Sequence, residues 1–255
     1  MNPILIVAHN TFKEVIRDRI LYVLLLFAVL LMGLSFAIGQ LSHEEIFRLS
    51  VSLGLASIHI CFVGLTIFIG SSLFFREIHS RTIYTLLVRP IHRWQYLLGK
   101  FCGLTGVLSV LLLGFMVSFV AIQLFLGLPF HMSLLVPFGG FFLEGLVLLS
   151  ATFFFSTFCS PFIAVGCAVS CFLVGHWIQN LEILIEKSHS LAFRIVGTGI
   201  MYSFPDLGAL NWREQGIAQA LLSPVDLRYG VLVAFSWTLL LILLSHMIFR
   251  NRNFE

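Results

Sequence analysis

One acidic residue, Glu144, lies inside the long apolar runs of this sequence, eleven positions into the run 134–158. A carboxylate in such a run usually faces a protein interior or a water-filled cavity, where it can relay protons or line a pathway. The alternative is a protonated or hydrogen-bonded packing residue. His59 and Gln123, in other apolar runs, are weaker candidates of the same kind. We therefore take Glu144 as the candidate pathway residue.

Cys167 and Cys171 could do a second kind of chemistry. Residues four apart share one face of a helix, and two thiols there could hold a soft metal ion such as Cu(I). His176 cannot complete that pair, because nine residues beyond Cys167 correspond to a rotation of about 180° around a helix. The alternative is that these cysteines are small packing residues. We predict packing, and therefore no metal site and no disulfide framework.

Catalytic motifs are absent from the sequence. Gly99-Lys100 lacks the earlier glycine of a phosphate-binding Gly-x-x-x-x-Gly-Lys loop, and the Gly-x-Ser-x-Gly elbow of serine hydrolases does not occur. We predict that the chain is not an enzyme, that it has no catalytic residues and that it binds no cofactor.

The elements that must position Glu144 are apolar helices. The composition is 59% hydrophobic and 11% charged, with a mean hydropathy of +1.01, whereas soluble domains carry about 25% charged residues. Continuous apolar runs of this length predict helices that cross the bilayer. We therefore expect an all-α polytopic membrane protein of one domain, 1–255. Its six predicted transmembrane helices are 20–39, 51–75, 101–126, 134–158, 162–178 and 229–249.

A basic segment, 76–100, separates the second and third predicted spans. It contains four arginines and one lysine but a single acidic residue, Glu77. Each Arg or Lys costs roughly 2.5 to 3.5 kcal/mol at a bilayer centre, so five would cost more than about 10 kcal/mol. The segment must lie outside the lipid.

Flanking charges predict the orientation. With six spans both termini share a side, and that side carries ten of the fifteen Lys and Arg residues, including the basic segment. The positive-inside rule makes this side cytoplasmic. We therefore predict a bacterial inner-membrane protein with cytoplasmic termini, and we interpret the charge pattern as topology and not as nucleic-acid binding.

Two further segments flank the spans. Residues 1–19 show Leu5, Ala8, Phe12, Val15 and Ile16 at helical spacing, which predicts an amphipathic interfacial helix on the cytoplasmic leaflet. The alternative is a short extension of the first span. Residues 179–228 are too apolar for a solvated loop, and we expect short helices that dip back toward the membrane or form an exterior cap.

The chain resembles the membrane subunit of ATP-binding-cassette (ABC) exporters of the type-2 permease family. The most specific part lies in the basic segment, where Arg81 replaces a common glycine. The residues similar to the family signature are Glu77, Thr82, Leu86, Leu87, Pro90, Arg93, Gly99 and Lys100. Residues 148–161 and 174–176 look nearest to the branch that includes copper-processing permeases of nitrous-oxide-reductase maturation.

The resemblance implies that two copies, or this chain and a similar permease, pair in the membrane and bind two copies of a cytosolic ABC ATPase, which holds the ATP and Mg²⁺. The basic segment is then a cytoplasmic coupling helix. Its expected ATPase contacts are Glu77, Arg81, Thr82, Leu86, Arg89, Pro90 and Arg93. The function implied is ATP-driven export or extraction of a substrate, which the lack of a charged lining suggests is hydrophobic.

Three alternatives stay open at this point. The basic segment could simply neutralise anionic lipid headgroups. The chain could be a proton-coupled secondary carrier that uses Glu144 as its relay. It could also be a membrane anchor or mechanical transmitter that acts on a periplasmic partner while no substrate crosses.

Overall fold

The computed structural model describes residues 3–18, 46–79, 93–125, 127–188, 190–218 and 223–251, with scattered residues between 22 and 37. These described parts contain helices and no strand, as the apolar runs predict. Two short 3-10 helices lie at Met132–Leu135 and Gly208–Leu210. The α-helices are α1 Pro3–Ile16, α2 Ile46–His79, α3 Arg93–Phe125, α4 Val136–Ser156, α5 Pro161–Lys187, α6 Leu191–Ser203, α7 Arg213–Ile217 and α8 Pro224–Asn251.

Within the described residues, five helical stretches are long and apolar enough to cross a membrane. They correspond to the second to sixth predicted spans, whereas half of the first, 20–39, lies outside the described residues. The five stretches are Phe47–Ser71, Trp94–Phe125, Met132–Ser156, Pro161–Lys187 and Pro224–Ile248.

The fifth predicted span, 162–178, is too short. Helix α5 continues through nine more residues to Lys187. Pro161 at its first turn suits a helix start, and no proline or glycine interrupts the chain from Trp177 to Lys187. The first nine residues of the segment predicted to lie outside the spans, 179–187, therefore continue this helix.

Helix α4 is the centre of the bundle. It contacts α2, α3, α5 and α8, and most of its side chains are buried on every side. A helix that is apolar all round is expected in such a position. Glu144 is therefore surrounded by protein.

Helix α1 packs along α3. Its buried residues are Val7, Thr11 and Val15, while Leu5 is 63% exposed. A Cβ atom at Gly103 of α3 would approach the Ala8 carbonyl oxygen and the Thr11 side chain, so glycine permits this contact. Phe12, Val15 and Ile16 of the apolar face read in the sequence pack against the bundle, whereas Leu5 of that face does not. The interfacial location of the helix stays a prediction.

The segment between α5 and α8 is partly helical and folds back onto the bundle. Leu207, Leu210 and Trp212 are buried among residues of α4, α5 and α8. The backbone N–H of Leu207 donates a hydrogen bond to the carbonyl of Gly175 (3.2 Å), where a Cβ atom would collide with the Leu207 side chain. This apolar segment therefore covers one end of the helices, which we call the capped end.

Candidate functional site

Three titratable side chains meet inside the bundle: His59 of α2, Glu144 of α4 and His176 of α5. At the capped end, His59 and Glu144 each lie twelve residues from the start of their apolar stretches, and His176 lies eleven residues from the end of its stretch. The three helices therefore bring these groups together near mid-span. We call them the His-Glu-His cluster.

The cluster is compact and buried. The Nε2 atom of His59 lies 2.8 Å from Oε2 of Glu144, and the Nε2 atom of His176 lies 3.8 Å from Oε1 of the same carboxyl group. Glu144 is 1% exposed and His59 is 4% exposed. The first distance is a hydrogen bond, and the second is too long for one.

Aromatic rings hold the two imidazoles. The His59 ring stacks on Phe141 with centroids 4.7 Å apart and an interplanar angle of 9°. The Phe172 ring meets the His59 ring edge-on, with centroids 5.9 Å apart. It also lies tilted against the His176 ring, with centroids 4.7 Å apart. Rings packed in this way restrict rotation of both histidines, and Phe141 covers a face of the buried His59 ring.

The polar atoms of the cluster are incompletely satisfied. If its Nε2 carries the proton, His59 donates to Oε2 of Glu144. Among the described residues, Oε1 of Glu144 and Nε2 of His176 have no hydrogen-bond partner. A buried polar atom without a partner costs about 1 to 3 kcal/mol, so such atoms call for a ligand or a functional reason.

A polar cavity of about 460 Å³ reaches the cluster from the capped end, with His176 in its wall. Its lining includes the carboxylates Glu214 and Asp226 and the side chains of Gln179 and Tyr229, all of them exposed at least in part. The cavity therefore connects His176 with the protein surface. We call it the cluster cavity.

A second cavity of about 770 Å³ shares Asn211 and Glu214 with the first. It adds Arg48 of α2 and Arg213 of α7. Burial lowers the pKa of the Arg213 guanidinium, and the neighbouring Glu214 carboxylate partly offsets that effect. The capped end therefore carries charge of both signs around connected hollows.

On the other side of Glu144 the described side chains pack closely. Val147, Leu148 and Ala151 of α4 are fully buried, and the first two pack with Ile67 of α2 and Ala168 of α5. The hydroxyl of Thr152 donates to the Leu148 carbonyl at 2.7 Å, within its own helix. This half, which we call the packed half, presents apolar surface to the cluster.

The predicted site residues fall into two groups. Glu144 is buried as expected, and it has histidine partners that the sequence analysis did not assign to it. The backbone of Glu77 lies in the last turn of α2, and the backbone of Arg93 begins α3. The other predicted coupling residues lie outside the described residues, so their role stays a prediction: Arg81, Thr82, Leu86, Arg89 and Pro90.

The cysteine pair does not join the cluster. Cys171 is buried with Ala151 and Leu241, on the side of the packed half, and Cys167 is only partly buried. The histidines gave a weak signal in the sequence. In the predicted spans His59 lies at nearly the depth of Glu144, eight and ten residues from the start, whereas His176 lies two residues from the end of its span. Only the longer helix α5 places His176 at a depth similar to that of the other two.

Comparison with protein families agrees with this architecture. The family model described as ABC-2 family transporter protein matches residues 5–252, nearly the whole chain. The chain belongs to the ABC-2 family of transporter proteins. No curated protein shows a significant match to it.

Family membership fits the long apolar helices and makes this ABC-2 family chain a membrane protein. The match is to the family as a whole and distinguishes no branch, so it gives no support to the copper-processing branch expected from residues 148–161 and 174–176. The His-Glu-His cluster is a feature of this ABC-2 chain that the membership by itself does not explain.

Proposed function

We propose that this chain is the permease subunit of an ABC transporter, in which a separate cytosolic ATPase drives movement of a substrate. The observation that carries the proposal is the family match over residues 5–252 on a bundle of membrane-length helices. In this proposal the chain has no enzymatic activity, and ATP and Mg²⁺ bind to two ATPase copies that dock on a pair of permeases.

The ends of α2 and α3 support a coupling role for the segment between them. The apolar run of α2 ends at Phe75 in the sequence, but the helix continues to His79, which adds about 6 Å at 1.5 Å per residue. Helix α3 begins again at Arg93. A continuous helix transmits a displacement at one end to the other, so an ATPase that moves this segment would move α2, which carries His59.

In this proposal the basic residues Arg81 and Arg89 contact the ATPase, and both termini lie on its side of the membrane, the cytoplasmic side of a bacterial inner membrane. The capped end then faces the exterior. This orientation follows from the charge count, with ten Lys and Arg residues on one side and five on the other.

We propose a more polar cargo than the hydrophobic one that the sequence analysis suggested. That expectation rested on the lack of a charged lining, whereas Glu214 and Asp226 line the cluster cavity and His176 lies at its inner wall. We therefore propose that a polar or charged species enters at the capped end. Membership of the copper-processing branch stays a prediction that this cavity does not by itself support.

A second candidate is a proton-coupled carrier, which the 2.8 Å contact between His59 and Glu144 favours because the two groups could share a proton. The two proposals differ in their energy source. Transport in vesicles that follows a proton gradient and needs no ATP supports the carrier, and transport that needs ATP and a co-purified ATPase supports the permease.

The test begins with purification in mild detergent. We expect an ABC ATPase to co-purify with this chain, and we expect Arg81→Ala and Arg89→Glu to uncouple ATP hydrolysis from transport in vesicles. Arg194→Glu, an exposed position of α6 near the capped end, is the matched control and should change neither activity. Absence of an ATPase partner contradicts the proposal, and full coupling in both arginine variants contradicts the assigned contact.

A further inference from the structure

We propose that His59, Glu144 and His176 form a binding site for a divalent transition-metal ion of the Zn²⁺ type. The proposal departs from the sequence-based expectation of no metal site, because that expectation considered cysteines and not residues brought together from three helices. It does not depend on the ATPase, since metal binding is measured on this chain alone.

The ligand set selects the class of ion. Two imidazole nitrogens and one carboxylate oxygen form a mixed set that suits Zn²⁺ and neighbouring divalent ions, whereas Cu(I) prefers thiolates and Ca²⁺ or Mg²⁺ prefer oxygen alone. The described residues place no thiol in this group. Three protein ligands leave a fourth position of a tetrahedral ion free for water or another ligand.

The distances permit coordination after a small adjustment. One ligand atom from each residue lies within 4.8 Å of the others. Bond lengths of 2.0 to 2.2 Å at tetrahedral zinc place ligand atoms about 3.4 Å apart, so the farthest pair must close by about 1.4 Å. The Nε2 atom of His59 and Oε2 of Glu144 lie 2.8 Å apart, so this pair must open by about 0.6 Å to admit an ion, while His176 moves inward.

The unpartnered atoms are aimed at the same place. Oε1 of Glu144 and Nε2 of His176 have no hydrogen-bond partner among the described residues, and they face each other at 3.8 Å. A metal ion between them would give each a partner and would also neutralise the carboxylate in its buried position. A single ion thus accounts for both atoms, which one shared proton cannot do at that distance.

An ion can reach the cluster from the capped end. His176 belongs both to the cluster and to the wall of the cluster cavity, and the carboxylates Glu214 and Asp226 line the same cavity. Carboxylates in a cleft raise the local concentration of cations. The route therefore has the charge that an incoming divalent cation requires.

The experiment uses the full chain in lipid nanodiscs, freed of any affinity tag and stripped with a chelator. Zn²⁺ is titrated by calorimetry, and retained zinc is measured by elemental analysis. We expect about one zinc per chain in the wild type. Glu144→Gln keeps the shape of the side chain but removes its charge, and it should weaken binding at least tenfold, as should His176→Gln.

His131→Gln is the matched control, because His131 is exposed and lies before the first 3-10 helix, outside the cluster. It should leave zinc affinity unchanged. Size-exclusion profile and melting temperature establish folding of each variant. If one cluster variant does not fold, the Co²⁺ absorption spectrum of the other, folded variant is compared with that of the wild type. Tetrahedral-type bands that are present in the wild type and absent from this variant support the site.

Two results overturn the proposal. The first is folded wild-type protein that retains no zinc and gives no tetrahedral-type Co²⁺ spectrum. The second is a folded Glu144→Gln or His176→Gln variant that binds zinc as tightly as the wild type does.

Discussion

Toward the capped end, the surroundings of Glu144 are hollow and polar, with His176 in the wall of a cavity of about 460 Å³, whereas toward Ser156 they are apolar and filled. In the filled half, Val147 and Leu148 are fully buried, and the Thr66 and Thr152 hydroxyls donate to their own helices. Within the described part of the chain, a cavity therefore opens to the cluster on the capped side, while the described side chains on the other side pack closely. Under the proposed metal-binding role, release of the ion to the other side would require that this asymmetry be reversed.

The largest effect that tests this comparison should come from the packed half. Leu148→Ala removes a fully buried side chain from among Ile67, Val147 and Ala168, and we expect the free energy of unfolding to fall by about 2 to 4 kcal/mol. Unfolding in SDS, followed by circular dichroism, measures the change. Leu173→Ala on α5, where Leu173 is 60% exposed, should cost less than about 0.5 kcal/mol. Equal losses in the two variants would show that the half is not tightly packed.

A smaller effect is expected where the cap meets the bundle. A Cβ atom at Gly175 would lie 2.7 Å from the Leu207 side chain, so Gly175→Ala should displace the cap and lower the free energy of unfolding by about 1 to 3 kcal/mol. Gly166→Ala is the matched control on the same helix, since nothing lies within 4 Å of a Cβ atom there. The control should be neutral or slightly stabilising. Were the two variants equally stable, the described seat of the cap on α5 would be incorrect.

The smallest effect concerns the mouth of the cluster cavity. Asp226→Asn removes one carboxylate from the cavity lining. We expect zinc affinity in nanodiscs to fall roughly threefold at low salt, because one attractive charge is lost and solvent screens its effect on the ion. Glu186→Gln changes an exposed carboxylate on α5 that is not part of that lining, and it should leave the affinity unchanged. If both substitutions lowered zinc affinity equally, the net charge of the protein, and not the carboxylates of the cavity, would attract the ion.

The helices were predictable because each is encoded by a local run of apolar residues. Five of the six predicted spans have counterparts among the described helices, and the errors occur at ends, as in α5, where polar residues continue a helix past the apolar part. For the segment 179–228, its apolar residues indicated only that it would not be an ordinary solvated loop, and they left open short helices that dip toward the membrane or an exterior cap. The packing of Leu207, Leu210 and Trp212 on the bundle could not be predicted, because it depends on tertiary contacts.

The cluster could be predicted only in part. Glu144 stood out because a carboxylate in an apolar run is costly, but its hydrogen-bond partner His59 lies 85 residues earlier in the chain. Which faces of α2, α4 and α5 meet is decided by packing in three dimensions, and the hydrophobic pattern of helices buried on several sides gives little indication of it. The basic segment shows the opposite case: its signature is local and readable, while its predicted contact Arg81 lies outside the described residues.

The most direct test of the metal site is X-ray absorption spectroscopy of the zinc-loaded, tag-free chain in nanodiscs. We predict a first shell of nitrogen and oxygen at about 2.0 to 2.2 Å, with outer-shell scattering from two imidazole rings that falls to one ring in His176→Gln. A first shell that contains sulfur, or a wild-type spectrum without imidazole scattering, would contradict a site made of His59, Glu144 and His176.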